Sequence, residues 1–194
     1  YQVVAVGVVP GIDEELEPEE IAEIAAGIEP TDGIFYPGIV QMNYITGELI
    51  KSYGNAPKMI IAMFDMGGSI NTVEFHSEYH GHEDSPKELL EAIDKLDVDF
   101  SPRQIAHVAT LSALANQKLV PKPHLEEIIK YSATLGALGV NVAHSGTMVG
   151  VLFAPDESMK HVMEAVEKIR EKFPELEYFE TERLISGGYD IEQR

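Results

Sequence analysis

The chain contains no cysteine, and only 14 of its 194 residues are lysine or arginine. Without cysteine there are no disulfides, no thiolate metal ligands and no cysteine nucleophile, which fits a reducing compartment and predicts a cytoplasmic location. The 33 acidic residues outnumber the basic ones and leave a formal net charge of −19. Because an acidic surface repels the phosphate backbone, we expect no nucleic-acid partner.

Long apolar runs are also missing. No segment approaches the roughly 20 apolar residues that span a bilayer, and the first residues lack the basic flank of a signal peptide. We therefore expect no membrane partner, and a composition of 44% hydrophobic and 24% charged residues is typical of a globular protein. The chain opens at Tyr1 inside an apolar run, which predicts that upstream sequence has been removed.

Hydrophobic periodicity predicts the secondary structure of the first third of the chain. A helix is expected from Pro18 to Ile28, with an apolar stripe formed by Ile21, Ile24, Ala25 and Ile28. Two short strands at 38–44 and 48–53 form a predicted hairpin. The continuous apolar run at 59–64 predicts a buried strand.

The remaining segments predict a fold class. Ser-Pro pairs at 85–86 and 101–102 indicate helix starts, and a third helix is expected at about 124–138 with Gly139 as its C-cap. Strands are expected at 140–143, 149–154 and 178–185, with a helix starting near 156. From residue 58 this order is that of a split βαβ, ferredoxin-like domain with extra helices in the first crossover. We predict an α+β fold in which helices cover one face of a four-stranded sheet.

Three loops carry candidate binding residues. Asp32 follows Thr31 in a loop bounded by Pro30 and Gly33, where it either faces a ligand or closes an Asx-turn on its own backbone. The small residues at 144–147 either cradle an oxyanion or form a tight hairpin between core strands. Asp65 with Gly67 and Gly68 follows a buried strand, and these residues form either a ligand site at the strand end or a glycine turn.

A histidine-rich segment is the remaining candidate. His76, His80 and His82 lie close to Glu78, Glu83 and Asp84, and imidazole with carboxylate suits zinc. Metal sites need ligands that converge from fixed elements, however, and a solvated loop explains the same pattern. We therefore predict no metal site there.

Five segments, taken together and in order, resemble the L-threonine kinases of cobalamin biosynthesis, which belong to the GHMP kinase superfamily. They are 28–33 (IEPTDG), 36–38 (YPG), 65–68 (DMGG) with Asn71, Thr72 and Phe75, 143–147 (AHSGT) and 183–188 (RLISGG). The resemblance extends over nearly the whole chain from about residue 17, and finding both IEPTDG and AHSGT at this separation is its most specific part.

The resemblance implies a domain organisation and a reaction. Residues 1–56 would be the tail of the GHMP N-terminal domain, which binds ATP, and residues 57–194 the ferredoxin-like C-terminal domain. The implied cofactors are ATP and Mg²⁺, and the implied partner is L-threonine or a similar small alcohol, with a homodimer left open.

The resemblance also implies residue roles. Asp32 would orient or deprotonate the acceptor hydroxyl. The implied substrate- and phosphate-binding residues are Thr31, Asp65, Gly67, Gly68, His144, Ser145, Gly146 and Thr147.

One family feature is missing from these residues. The Gly/Ser-rich loop that holds ATP should precede a segment like 1–12, and because phosphoryl transfer depends on such positioning we expect no useful kinase activity from the 194 residues alone. Two alternatives stay open. The first is a GHMP kinase for homoserine, a mevalonate-type alcohol or a sugar, and the second is a non-catalytic ferredoxin-like binding module.

Overall fold

The computed structural model describes residues 16–28, 33–68, 86–118, 120–143 and 146–187. These residues form two compact units, each described here by itself. The first takes the described residues up to Ala56 together with Ser186 and Gly187, and the second runs from Pro57 to Ile185. The assignment of the first unit to the tail of an ATP-binding domain stays a prediction.

The first unit consists of a helix, a 3₁₀ turn and a two-stranded antiparallel sheet. Its elements are helix α1 (Pro18–Ile28), the turn Gly33–Phe35, and strands β1 (Ile39–Met42) and β2 (Leu49–Gly54). The predicted helix and hairpin are confirmed. Glu19 and Glu20 lie in the first turn of α1, where the helix dipole favours carboxylates.

The core of the first unit is small. Ile21, Ala22 and Ala25 of α1 pack with Phe35 and Tyr36. The predicted apolar stripe is wrong in two positions, because the side chains of Ile24 and Ile28 are 54% and 72% exposed. Among the described residues, the hairpin and the 3₁₀ turn pack against the side of α1 that carries Ile21, Ala22 and Ala25.

The second unit is a four-stranded antiparallel sheet with four helices in its described part. In chain order its elements are β3 (Ile60–Asp65), α2 (Lys87–Asp94), the 3₁₀ turn Lys95–Asp97, α3 (Pro102–Asn116), α4 (Leu125–Thr134), β4 (Gly139–Val142), β5 (Met148–Phe153), α5 (Met159–Lys172) and β6 (Glu177–Arg183). The strand order is β4-β5-β3-β6. This is the order of a split βαβ fold, in which each crossover leaves room for one strand between the two that it joins. The predicted ferredoxin-like fold is confirmed.

Strand alternation divides the apolar residues of this sheet between two faces. Ile60, Ala62 and Phe64 of β3 join the main core with α4 and α5. Their neighbour Ile61 packs with Leu152 and Ala106 in a second, smaller cluster. The prediction that helices cover one face only is therefore wrong, because the inserted helix α3 contributes Ala106, Ile105 and Ala109 to the opposite face.

Helix α3 also protects the free edge of β4. The Thr110 hydroxyl accepts the Val140 N–H at 2.9 Å and donates to the Ala106 carbonyl at 2.8 Å. A Cβ at Gly139 would lie 2.4 Å from the Ala106 carbonyl oxygen, so glycine is required for this close approach. None of the helices in the described ranges has the length and apolar character needed to cross a membrane.

Candidate functional site

Two of the predicted binding segments meet at one end of the two central strands, β3 and β5. Asp65, the last residue of β3, is the cross-strand partner of Met148, the first residue of β5. Because these strands are antiparallel, the residues after Asp65 and those before Met148 leave the sheet side by side. The Met66 N–H donates to the Thr147 carbonyl at 3.1 Å and extends the pairing by one bond.

The carboxylate of Asp65 lies where the two segments meet. Its Oδ1 accepts the Gly67 N–H at 2.9 Å. The nearby Thr147 side chain and then the hydrogen bond from Gly67 lower the pKa of Asp65, while burial acts in the opposite direction. Asp65 is therefore an anion at neutral pH.

The turn formed by Met66, Gly67 and Gly68, here called the diglycine turn, needs glycine for its backbone. Gly67 and Gly68 have φ values of +71° and +85°, which side-chain-bearing residues rarely adopt. A Cβ on either glycine would meet no atom within 4 Å. The glycines thus serve the backbone conformation, and both are exposed with open space beside them.

The connection between β4 and β5 lies at the same end of the sheet. The Ala143 N–H donates to the Met148 carbonyl at 2.9 Å, and Gly146 lies so near that a Cβ on it would be 3.1 Å from the Ala143 Cβ. Gly146 and Thr147 are partly buried. This end of the sheet therefore combines one ionised carboxylate with two segments of small residues. Such an arrangement lets a ligand approach the main chain closely.

The structure brings together some of the predicted site residues. The Gly67 N–H donates to Asp65 and the Met66 N–H donates to the Thr147 carbonyl, and Gly68 and Gly146 adjoin them in sequence. Thr31, Asp32, His144 and Ser145 lie outside the described residues, as do His76, His80 and His82. Among residues that the structure does describe, no group of three or more histidine, aspartate or glutamate side chains is placed to hold a metal ion.

Local patterns do not indicate that the segments of Asp65 and Thr147 lie side by side. Each residue belongs to its own loop, and the two loops are distant in sequence. A signal was available in the predicted topology, since a polar residue ends one central strand and another precedes its antiparallel neighbour.

Lys122 is a second residue whose environment no local pattern indicates. Its side chain is only 4% exposed, and its ammonium has no hydrogen-bond partner in the described part of the chain. Desolvation lowers its pKa.

A match to a known family is consistent with this fold. Residues 89–172 match the family model described as GHMP kinases C terminal, a range that runs from α2 to the end of α5 and includes Gly146 and Thr147. This stretch of the chain therefore resembles a GHMP kinase C-terminal domain. The predicted resemblance is confirmed at this level, and phosphotransferase chemistry is what this family indicates.

Two curated proteins to which this chain is similar are L-threonine kinases. The protein from Citrobacter freundii is 22% identical over 189 residues, which cover 92% of this chain and 64% of that protein. The protein from Salmonella typhimurium is 22% identical over 153 residues, which cover 76% of this chain and 51% of that protein. The chain thus spans between half and two thirds of the length of the relatives that it matches.

A solved structure supports the fold alone. The mevalonate kinase of L. major, solved in complex with R-mevalonate, superposes with a TM-score of 0.55 at 15% identity, covering 74% of this chain and 48% of that one. At this identity the likeness extends to the GHMP kinase C-terminal architecture and does not extend to the acceptor alcohol.

Proposed function

We propose that the complete protein containing this chain transfers the γ-phosphoryl group of ATP to the side-chain hydroxyl of free L-threonine. One observation carries the proposal: the similarity to the L-threonine kinase of Citrobacter freundii extends along 92% of this chain, well beyond the C-terminal domain. The GHMP kinase C-terminal domain supports the reaction class, with ATP as the phosphate donor. The choice of L-threonine rests on the similarity to the two L-threonine kinases.

Asp32 is the proposed catalytic residue. It belongs to the connection of residues 29–32 between α1 and the 3₁₀ turn at Gly33. An aliphatic alcohol is too weak an acid to ionise before it attacks phosphorus, so the carboxylate would hold the hydroxyl in line and accept its proton as the new bond forms. Thr31 lies beside it in sequence and is proposed to contact the same substrate.

The connection between β4 and β5 is the proposed anion-binding segment. Its residues His144, Ser145, Gly146 and Thr147 offer small side chains, hydroxyls and main-chain N–H groups, which suit a phosphate or the carboxylate of an amino acid.

Magnesium would enter with the nucleotide. Mg²⁺ would be bound mainly by the phosphates of ATP, since it usually binds through substrate phosphates and few protein carboxylates. The ion would neutralise charge on the transferring group, as in other phosphoryl transfers. By resemblance to the family, the product O-phosphothreonine would serve cobalamin biosynthesis in the cytoplasm.

The reaction is tested with the complete protein and a panel of acceptors. ATP and Mg²⁺ are incubated with L-threonine, L-homoserine, mevalonate and galactose, and ³¹P NMR detects the phosphorylated product. We expect L-threonine to give the highest kcat/KM. A clear preference for another alcohol would replace the acceptor and keep the enzyme class, whereas binding of L-threonine without turnover of any alcohol would favour a binding module.

The Asp32 assignment predicts a specific loss of rate. Asp32→Asn should lower kcat by about 100-fold or more, since a positioned general base contributes on the order of 10²–10⁴-fold. The matched control is Asp94→Asn, which changes an exposed aspartate at the end of α2 and should leave kcat unchanged. A kcat within a few-fold of wild type in Asp32→Asn would remove Asp32 from the mechanism.

A further inference from the structure

Helix α3 covers only one end of the second face of the sheet, which is the face opposite the main core. Ala106 and Ala109 of this helix pack there with Leu152 of β5. One turn further along the helix, Ala113 belongs to the main core instead. The helix therefore passes to the other side of the sheet, and within the described residues it does not continue along the second face.

Five residues form the remainder of the second face on strands β3, β4 and β5. Gly150 lies between Met63 and Asn141 in one row of cross-strand partners, and Asp65 is paired with Met148 in the next row. Strand alternation places all five on the side opposite the main core. Asn141 is exposed, and Met63, Asp65 and Met148 are partly buried. These five residues are called the open face below.

The side chain of Asn141 lies across the neighbouring strand. A Cβ at Gly150 would collide with Asn141 Oδ1, so glycine is required at this position for the amide to lie there. Glycine in the interior of a strand weakens the strand and often marks a close approach of another group. The Asn141 amide is thus held over β5, on the side that faces β3.

Asn141 and Asp65 lie on opposite sides of β5. The usual strand spacing and rise per residue place their Cα atoms roughly 12 Å apart. Two short side chains and two hydrogen bonds of about 2.8 Å span most of this distance. The space that is left suits a ligand with two polar groups on a single carbon atom. The thioethers of Met63 and Met148 supply an adaptable apolar surface beside it.

We propose that the open face binds the α-amino acid acceptor, with the Asn141 amide donating to its carboxylate and Asp65 accepting from its ammonium group. The assignment rests on the proposed function, since the acceptor proposed there is L-threonine. Asp65 can accept from the ligand as well as from the Gly67 N–H, because an ionised carboxylate has several acceptor positions. The open face thereby recognises the two groups that distinguish an amino acid from other small alcohols.

Ligand analogues test each contact in the complete protein through dissociation constants measured by calorimetry. L-threoninamide lacks the carboxylate, and (R)-3-hydroxybutyrate lacks the ammonium group. We expect Asn141→Ala to weaken L-threonine binding at least about tenfold, as for a lost hydrogen bond to a charged group, and L-threoninamide binding less than about threefold. Asp65→Asn still accepts the Gly67 N–H, and it should weaken L-threonine binding similarly while sparing (R)-3-hydroxybutyrate. Equal losses for L-threonine and the matching analogue would overturn the proposal, as would a wild-type protein that does not bind L-threonine.

Gly150→Ala supplies an independent variant that keeps the Asn141 amide in the chain. The added Cβ must displace Oδ1, so the loss of L-threonine affinity should match that of Asn141→Ala. The variant carrying both changes should bind no more weakly than the poorer single variant. Lys168→Ala on the exposed surface of α5 is the control and should leave the affinity unchanged. Wild-type affinity in a folded Gly150→Ala protein would contradict the placement of the amide. If Gly150→Ala does not fold, Asn141→Ala decides, because it alters an exposed side chain.

Binding and turnover together separate the open face from the proposed function. L-threonine affinity that depends on Asn141 and Asp65, in a protein that phosphorylates none of the acceptors, would overturn the proposed function and retain the amino acid site. Phosphorylation of L-threonine with an affinity that neither variant changes would overturn the open face and retain the proposed function.

Discussion

Lys122 is buried in the connection between α3 and α4 without compensation for its charge. Its main-chain N–H donates to Gln117 Oε1 at 2.6 Å, and the Gln117 amide donates back to the Lys122 carbonyl at 3.0 Å. The residue as a whole is 4% exposed. Its buried ammonium has no hydrogen-bond partner among the described residues. The backbone of this connection is thus well satisfied, while the side chain carries a desolvation cost.

Removing this charge should stabilise the second unit. We expect Lys122→Met to raise the free energy of unfolding by about 1–3 kcal/mol, the range for a buried polar group without a partner. Urea denaturation followed by circular dichroism measures the change. Lys168→Met on the exposed surface of α5 is the control and should change stability by less than about 0.5 kcal/mol. A destabilised Lys122→Met would show that the ammonium has a favourable partner.

The lowered pKa of Lys122 predicts how the stability of the protein changes with pH. Because desolvation lowers the pKa of Lys122 in the folded state, the unfolded state binds more protons between that pKa and the ordinary value of 10.5. The penalty is fully present below the folded pKa and is relieved as pH rises towards 10.5. The stability difference between Lys122→Met and wild type should therefore shrink with rising pH in the same denaturation experiment.

Helix starts and helix ends differ in how well local sequence predicts them. Ser101 caps α3 as expected, since its hydroxyl accepts the Gln104 N–H at 3.3 Å. The predicted C-cap at Gly139 is wrong, because α4 ends at Thr134 and Gly136, with φ of +89°, follows it. Gly136 and Gly139 lie three residues apart, and the local sequence allows either of them to be the C-cap of this helix. Gly139 is needed instead for the contact with α3, which only the folded chain specifies.

The first unit depends on one close contact between elements. The hydroxyl of the buried Tyr36 donates to the Gly47 carbonyl at 2.7 Å, and a Cβ at Gly47 would lie 2.5 Å from the Ala22 carbonyl oxygen in α1. Gly47 also has φ of +79°. The helix therefore packs directly on the backbone of the β1–β2 turn, a contact that helps to hold α1 against the hairpin.

Substitution at Gly47 should disrupt this contact. Gly54 is a matched control, because its φ of +96° is equally unfavourable for alanine but no atom lies within 4 Å of its Cβ position. We expect Gly54→Ala to cost about 1–2 kcal/mol from backbone strain alone, and Gly47→Ala to cost more because backbone atoms must also move. Hydrogen exchange at the amides of residues 43–54 measures both. Equal losses in the two variants would show that the contact with Ala22 contributes nothing.

The excess of acidic residues acts on the whole molecule. A formal net charge of −19 produces self-repulsion in the compact state, which salt screens. We expect the thermal midpoint to rise by a few degrees between 10 mM and 500 mM NaCl at pH 7, where 1 kcal/mol corresponds to about 2–4 °C for a chain of this size. The rise should be smaller near the isoelectric point. A midpoint that is independent of salt at pH 7 would contradict this expectation.

The candidate site was predictable only in its parts. Local patterns selected the segments containing Asp65 and Thr147, because glycine, hydroxyl and carboxylate residues next to apolar strands are typical of ligand-binding turns. The same patterns did not indicate that the segments of Asp65 and Thr147 lie side by side, nor that Lys122 is buried. Such contacts join residues that are distant in sequence, and their partners depend on strand register.

The sequence by itself determined the order of strands and helices in the second unit, since hydrophobic periodicity and capping residues act over only a few positions. It also determined the charge of the molecule and the candidate segments. Only the tertiary structure decided that α3 packs along β4 and contributes to an apolar cluster on the second face, and that β3 and β5 bring two segments together at one end of the sheet. The reason is physical: register and helix packing are set by long-range burial, which no short window of residues contains.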